Sequence, residues 1–220
     1  LDGALATCAS HAPSQLGHRA NNPLQLEATG WALGYAGGGF AFDNELGQHT
    51  VDLAAFEIDS APVTWRQYIE FLEDGNADKD AAIPRYLRRS SNGTQWQCQH
   101  FGVWQALNLE SPATHLSFFQ AQAWCRWAGR CLPTEAQWEY AAMTQPRFAW
   151  GRVWEWTASA FAPYPGFTPH PYRDYSAPWF DGRPVLRGAS TATTAHMVHP
   201  RYRNYFTPER NDIFAGFRSC

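Results

Sequence analysis

Between residues 49 and 59 apolar and polar positions alternate, first in His49-Thr-Val-Asp-Leu53 and again in Phe56-Glu-Ile-Asp59. A period of two belongs to half-buried strands, and two are predicted here. The spacing then lengthens. After Pro62-Val-Thr64 the apolar residues Tyr68, Phe71 and Leu72 fall on one helical face, with Thr64 as N-cap and Gly75 as the stop. A second helix follows His115-Leu-Ser117: Ser117 is the candidate cap, the stripe is Phe118, Ala121, Trp124, Cys125 and Ala128, and Gly129 ends it. A third starts in Leu132-Pro-Thr-Glu135, where Thr134 caps and the Glu135 carboxylate sits favourably in the first turn. Residues 76–114, which carry Trp96 and Trp104, are polar without a period and read as an irregular insertion. One more helix is placed near residues 1–10.

From Gly151 to Cys220 no period survives. The segment is dense in Trp, Tyr, Arg, Asn and Gly, which predicts irregular, cross-braced structure of loop and short strand rather than an ordinary helix or sheet. Its tryptophans are expected to fill core, Gly188 to permit a close turn, and Glu135 to satisfy backbone donors. Asn21-Asn-Pro-Leu24 is a turn signal, so residues 1–29 read as a lead-in or linker and 30–220 as one domain. Few helices, several strands and much irregular chain define the class as α+β.

Bulk properties exclude some partners. The 220 residues, 45% hydrophobic and 17% charged, can bury a sizeable core. A net charge of -3 argues against nucleic acid, which needs a basic surface. No apolar run is long enough for a membrane span, and Leu1–Ser10 lacks the features of a signal peptide. The lack of an initiating Met points to a fragment or a processed product. Lys79 is the single lysine among 17 basic residues, a bias that fits planar recognition of carboxylates or a GC-rich genome equally. The five cysteines are irregularly spaced and form no CxxC pair, so no disulfide is expected and a reducing cytoplasm is the expected compartment.

Several short motifs recur in a telling order: Phe42-Asp-Asn-Glu45, Pro62-Val-Thr64, His115-Leu-Ser117, Trp127-Ala-Gly-Arg130, Leu132-Pro-Thr-Glu135, Trp154-Glu-Trp156 and Leu186-Arg-Gly188. Taken together they resemble the family of formylglycine-generating enzymes and ergothioneine sulfoxide synthases (EgtB type). The resemblance covers roughly residues 30–220 and implies an elaborated C-type-lectin-like fold. Formylglycine-generating enzymes carry two copper-binding cysteines after an Arg-Gly-Gly-Ser motif; here Arg187–Arg201 contains none. The synthase branch is matched by Phe42-Asp-Asn-Glu45, Pro163-Tyr-Pro-Gly-Phe167, Pro171-Tyr-Arg-Asp-Tyr-Ser176 and Tyr202-Arg-Asn204.

That branch implies a non-heme Fe(II) and O2-dependent reaction joining sulfur to the imidazole of hercynine (Nα-trimethylhistidine). In the similar selenoneine synthases (SenA type) the donor is a selenosugar. It also implies roles. Tyr172 or Tyr175 would stand near the iron as proton donor. Asn204, Tyr205 and Phe206, with Tyr164, would bind the substrate, since a trimethylammonium is held by rings and an amide oxygen. Arg203 and Arg210 would offer forked donors to a carboxylate or sugar. Members that take γ-glutamylcysteine have an acid where this chain has Phe206, which leaves cysteine or a thio- or selenosugar as donor. The tail Gly216-Phe-Arg-Ser-Cys220 leans towards the selenium branch. The family's iron is held by three histidines of an N-terminal DinB-like domain. Nothing near His11 and His18 supplies them, and His196 with His199 is followed at once by Pro200 and has no carboxylate partner near, so no metal ligand is assigned in this chain. The alternatives are a non-catalytic lectin-like binding module and, less favoured, a formylglycine-generating oxidase.

Overall fold

A computed structural model describes residues 21–74 and 83–220. The expected helix near residues 1–10 and the stop at Gly75 lie outside the described residues. The predicted strands form as β3 (His49–Leu53) and β4 (Phe56–Ile58). Their partners are β2 (Thr29–Leu33), antiparallel to β3, and β1 (Leu24–Leu26), antiparallel to β4. Strand β1 falls within the segment expected to be a lead-in: Leu24 and Leu26 are buried against Ile58.

The three helices α1 (Trp65–Glu73), α2 (Phe118–Ala128) and α3 (Glu135–Thr144) form where the spacing placed them. Each begins with a reciprocal capping box, pairing Thr64 with Gln67, Ser117 with Gln120 and Thr134 with Gln137. Helix α2 ends on Gly129, whose φ of 67° is the left-handed conformation that glycine adopts without strain. Tyr68, Phe71, Trp124 and Cys125 are all buried in one large cluster with Trp156 and Phe217.

The insertion is more regular than its sequence suggests, and the short strands expected in the last third join into one sheet. The insertion contains an antiparallel sheet of β5 (Leu87–Arg89), β6 (Trp96–His100) and β7 (Val103–Ala106). Most of its side chains stay partly exposed, so no apolar face marks the strands. It is braced by Arg89 over the ring of Trp96 and Arg88 over Trp104. The last third supplies the four-stranded sheet β10-β9-β8-β11, from β8 (Trp154–Ala160), β9 (Pro184–Gly188), β10 (Arg203–Tyr205) and β11 (Ala215–Gly216). All of β9 and the first four residues of β8 are buried. A strand covered on both faces shows no alternation, which is why the sequence hid it.

Tryptophans fill the core as expected, and the buried indoles find acceptors: Trp156 Nε1 donates to Leu116 O at 2.8 Å and Trp138 Nε1 to Glu155 Oε2 at 2.8 Å. Gly188, at φ 92°, lies where a Cβ would come within 3.1 Å of the Trp138 ring. Cys98, Cys125 and Cys220 are free thiols, whereas Cys131 is disulfide-bonded, against the expectation that no disulfide would form. No helix among the described residues is long and apolar enough to cross a membrane. Gly216 has the tightest surroundings: a Cβ there would sit 2.3 Å from the Ala113 carbonyl oxygen. Gly216→Ala is therefore expected to lower stability by about 1–3 kcal/mol through overpacking, read as a reduced urea midpoint at unchanged slope.

Candidate functional site

Three guanidiniums build the floor beneath the last third. Arg203 is 1% exposed; Nε and Nη2 donate to Glu135 at 2.9 and 3.1 Å, and further donors reach the Asn44 and Ala162 carbonyls. Arg187 donates to Glu139, to Glu135 at 3.4 Å and to Pro200 O at 2.9 Å. Arg218 clasps Glu155 at 2.5 and 2.8 Å and reaches Asp59 O and Ala149 O. Glu135 therefore serves side chains rather than the backbone donors expected of it, because Arg187, Arg203 and the Tyr164 hydroxyl (3.0 Å) converge on its carboxylate. Tyr164 is buried, with the Arg203 guanidinium 3.9 Å above its ring. The Arg203 fork and the Tyr164 hydroxyl are thus both turned inward, onto Glu135, and neither faces a ligand.

Above this floor lies a half-buried aromatic group. Phe42 and Tyr175 stack at 4.1 Å, and Tyr202 meets Phe42 edge-on at 5.4 Å. The hydroxyls of Tyr175 and Tyr202 are 3.2 Å apart. Tyr205 stacks on Phe161 at 4.0 Å and donates its hydroxyl to the Tyr175 backbone carbonyl, so β10 holds the 3-10 turn Arg173–Tyr175 in place. Asn44 adds a second tie, its amide donating to Ser176 Oγ at 3.0 Å. Burial pushes the Tyr175 and Tyr202 hydroxyls up, and that of Tyr205 to about 12, so all three phenols are protonated and uncharged at neutral pH.

The other expected residues are dispersed. Tyr172 is 64% exposed. The Asn204 carboxamide oxygen accepts from Tyr205 N at 2.9 Å, beside the half-buried Phe206. Arg210 is bound to Asp212 at 2.5 and 3.1 Å and lies over the Phe206 ring. His196 is exposed and His199 half-buried; against the expectation that no carboxylate is near the pair, His199 has Glu45 beside it.

Glu45 is the group the sequence signalled least. It is fully buried, its Oε2 accepts from Phe42 N at 3.3 Å, and His199 Nε2 lies 3.6 Å from the same oxygen. Burial pushes its carboxyl up to about 7, against the pull of the Arg187 and Arg203 charges. Burial also depresses His199, helped by Arg187 and Arg201, so its imidazole is neutral. An acid raised in the folded state lends stability that is full below pH 4.5, its ordinary value, and is lost as the pH rises through about 7. Relative to Glu45→Gln, the protein should lose about 3 kcal/mol of urea-unfolding free energy between pH 4.5 and pH 8. An equal pH dependence in both proteins would contradict this.

Comparison with known proteins agrees with this architecture. The sulfatase-modifying factor enzyme 1-like domain family matches residues 29–152 and 147–220. A hercynine oxygenase of Mycolicibacterium smegmatis is 31% identical over 240 residues, covering 81% of this chain and 55% of that protein. One from Mycobacterium tuberculosis is 31% identical with the same coverages, so the chain spans about half the length of these curated relatives. A formylglycine-generating enzyme of Streptomyces coelicolor is 30% identical over 66% of this chain and 55% of its own. Among solved structures, PvdO from Pseudomonas aeruginosa superposes with a TM-score of 0.59 at 16% identity, over 92% of this chain and 94% of its own. Matched across nearly its whole described length, the chain belongs to the sulfatase-modifying factor enzyme 1-like (FGE-sulfatase) family.

Proposed function

We propose that the chain is the C-terminal, substrate-binding domain of a non-heme iron, O2-dependent synthase that joins sulfur or selenium to the imidazole of hercynine. The observation that carries this reading is the 31% identity to hercynine oxygenases over 81% of the chain. Among the described residues no three His, Cys, Asp or Glu side chains gather as metal ligands. The residues described do not fit the iron, whose ligands we assign to an N-terminal DinB-like domain outside this chain.

This domain's own part is binding, orientation and proton supply. In this reading Asn204, whose amide oxygen accepts from Tyr205 N and keeps a second lone pair, and the rings of Tyr205 and Phe206 next to it in sequence take the trimethylammonium, which has no hydrogen to donate. Arg210, half exposed at the rim, offers its guanidinium to a carboxylate in exchange for Asp212. Tyr175, fixed from both sides and partnered by Tyr202, is the stronger candidate to give up a proton; Tyr172 is the alternative. The apolar Phe206 favours cysteine or a thio- or selenosugar over γ-glutamylcysteine as co-substrate. The expected reducing cytoplasm is at odds with the disulfide at Cys131, so this reading assigns no compartment.

Copper-thiolate oxidation is disfavoured. Cys125 and Cys220 are pushed up by burial, the latter to about 12, so neither is a ready thiolate. A non-catalytic binding module is the second reading; the relatives include one named an inactive C-alpha-formylglycine-generating enzyme 2, from Mus musculus, 29% identical over 138 residues. Calorimetric titration tests the first. Hercynine should bind more tightly than histidine, and Asn204→Ala should weaken hercynine about tenfold, or about 1.4 kcal/mol. Equal affinity for the two ligands would sink trimethylammonium recognition.

A further inference from the structure

Beneath the tyrosine pair is a set of buried groups that the binding reading does not use. Glu45 Oε1, His199 Nε2, Arg187 Nε and Arg201 Nε are all shut off from solvent without a hydrogen-bond partner among the described residues. Orphaned polar atoms are costly, so each calls for a partner or a role; Arg201 Nε has the Glu139 carboxylate at 3.5 Å, and His199 Nε2 has that of Glu45. Glu45 and His199 stop 3.6 Å apart, just beyond a hydrogen bond. A protonated Glu45 can close that gap by donating to the neutral ring, whereas an ionised one cannot unless the ring presents N–H.

We propose that Glu45, sharing a single proton with His199, is a positioning residue whose charge state sets the direction in which the Tyr175–Tyr202 hydroxyl pair points. The two rings are immobilised: Tyr175 is stacked on Phe42 and its carbonyl is held by Tyr205, while Tyr202 is packed between Phe42 and Trp154. Only the hydroxyl rotors remain free, and either oxygen can be the donor of the bond between them. Glu45 adjoins this pair: Phe42, whose N–H it accepts at 3.3 Å, touches both tyrosine rings, and the His199 ring stands between its carboxylate (3.6 Å) and the Tyr202 ring (5.9 Å). Ionised, Glu45 draws the O–H dipoles towards itself; Tyr175 then donates backward to Tyr202. Neutral, it releases them, and Tyr202 can donate to Tyr175, leaving the Tyr175 proton free to face outward.

The groups around the carboxyl balance this switch near neutrality. Burial favours the neutral form, and it is opposed by Arg187 from β9, Arg203 from β10 and the Phe42 N–H from the preceding loop. Arg187 and Arg201 keep His199 from taking the proton as a cation, and Glu139 and Glu135 in turn neutralise those guanidiniums. Tyr35 flanks the His199 ring at 6.4 Å. The inference gives a direction to the Tyr175 proton of the function proposed above, and in that sense rests on it, yet its test needs no turnover.

The 220-residue chain, labelled with 13C at the tyrosine ζ carbons and 15N in histidine, would be followed by NMR from pH 5 to 9, with Tyr175→Phe and Tyr202→Phe assigning the signals. Tyr175 and Tyr202 are expected to move together with one midpoint near the value of about 7 held by Glu45. Glu45→Gln should abolish the transition. His199→Gln places a permanent N–H donor on the ionised carboxylate and should lower the midpoint by about one pH unit. No transition between pH 6 and 8, a transition that survives Glu45→Gln, or a midpoint unmoved by His199→Gln would overturn the proposal. Should Glu45→Gln fail to fold, the His199→Gln shift decides alone. Loss of hercynine selectivity with the transition intact would reject the substrate reading only; the reverse would reject the switch only.

Discussion

The structure depends on guanidiniums buried against carboxylates. Irregular chain exposes carbonyls that no ladder satisfies, and a buried carbonyl without a donor is costly. Arg187, Arg203 and Arg218 answer this with planar, many-donor heads that hold a carboxylate on one edge and main-chain carbonyls on another. Each joins segments remote in sequence: Arg203 alone binds the loop at Asn44, helix α3 at Glu135 and the turn at Ala162. Such pairs add little net stability compared with apolar residues, but removing one partner strands a charge, so the lattice fixes geometry and tolerates no partial change.

The candidate site inherits its rigidity from that floor. The loop carrying Phe42 and Glu45 is fixed by Arg203 at Asn44 O and by Asn44 to Ser176, and the turn carrying Tyr175 is fixed by Tyr205 on β10. The irregular chain that carries Phe42, Glu45 and Tyr175 is therefore tied to regular elements at several points, which is what pre-organisation requires. The same economy explains why the arginines expected to meet substrate divide in two: Arg203 became foundation, while Arg210 stayed at the rim.

Local signals were legible in the sequence because they are local. Thr64, Ser117 and Thr134 cap their helices through bonds spanning three residues, and β3 declares itself by alternation. Strands β8 and β9 were hidden by two-sided burial, and β5–β7 by their exposure. Motif order announced the family, but the roles of Glu135 and Arg203 are set by partners 68 residues apart, beyond any spacing rule. Glu45 was readable only as part of a motif; its raised proton affinity comes from burial that outweighs the pull of guanidiniums distant in sequence, which no single stretch of chain encodes.

The pairing of the last residues with the first described segments has a kinetic side. Asp59 accepts from Ser219 and gives its own N–H to Ser219 O, Val63 N donates to Phe217 O, and β11 lies parallel beside β8. The core around Trp124 and Trp156 is closed by Phe217. Contacts separated by 160 residues carry a large loop-closure entropy before they return any energy, so this is a high-contact-order fold that assembles slowly. On the ribosome, helices α1 and α2 emerge with their tryptophans uncovered and wait for residues 215–220 before the apolar seam can shut, an interval in which chaperones have something to hold.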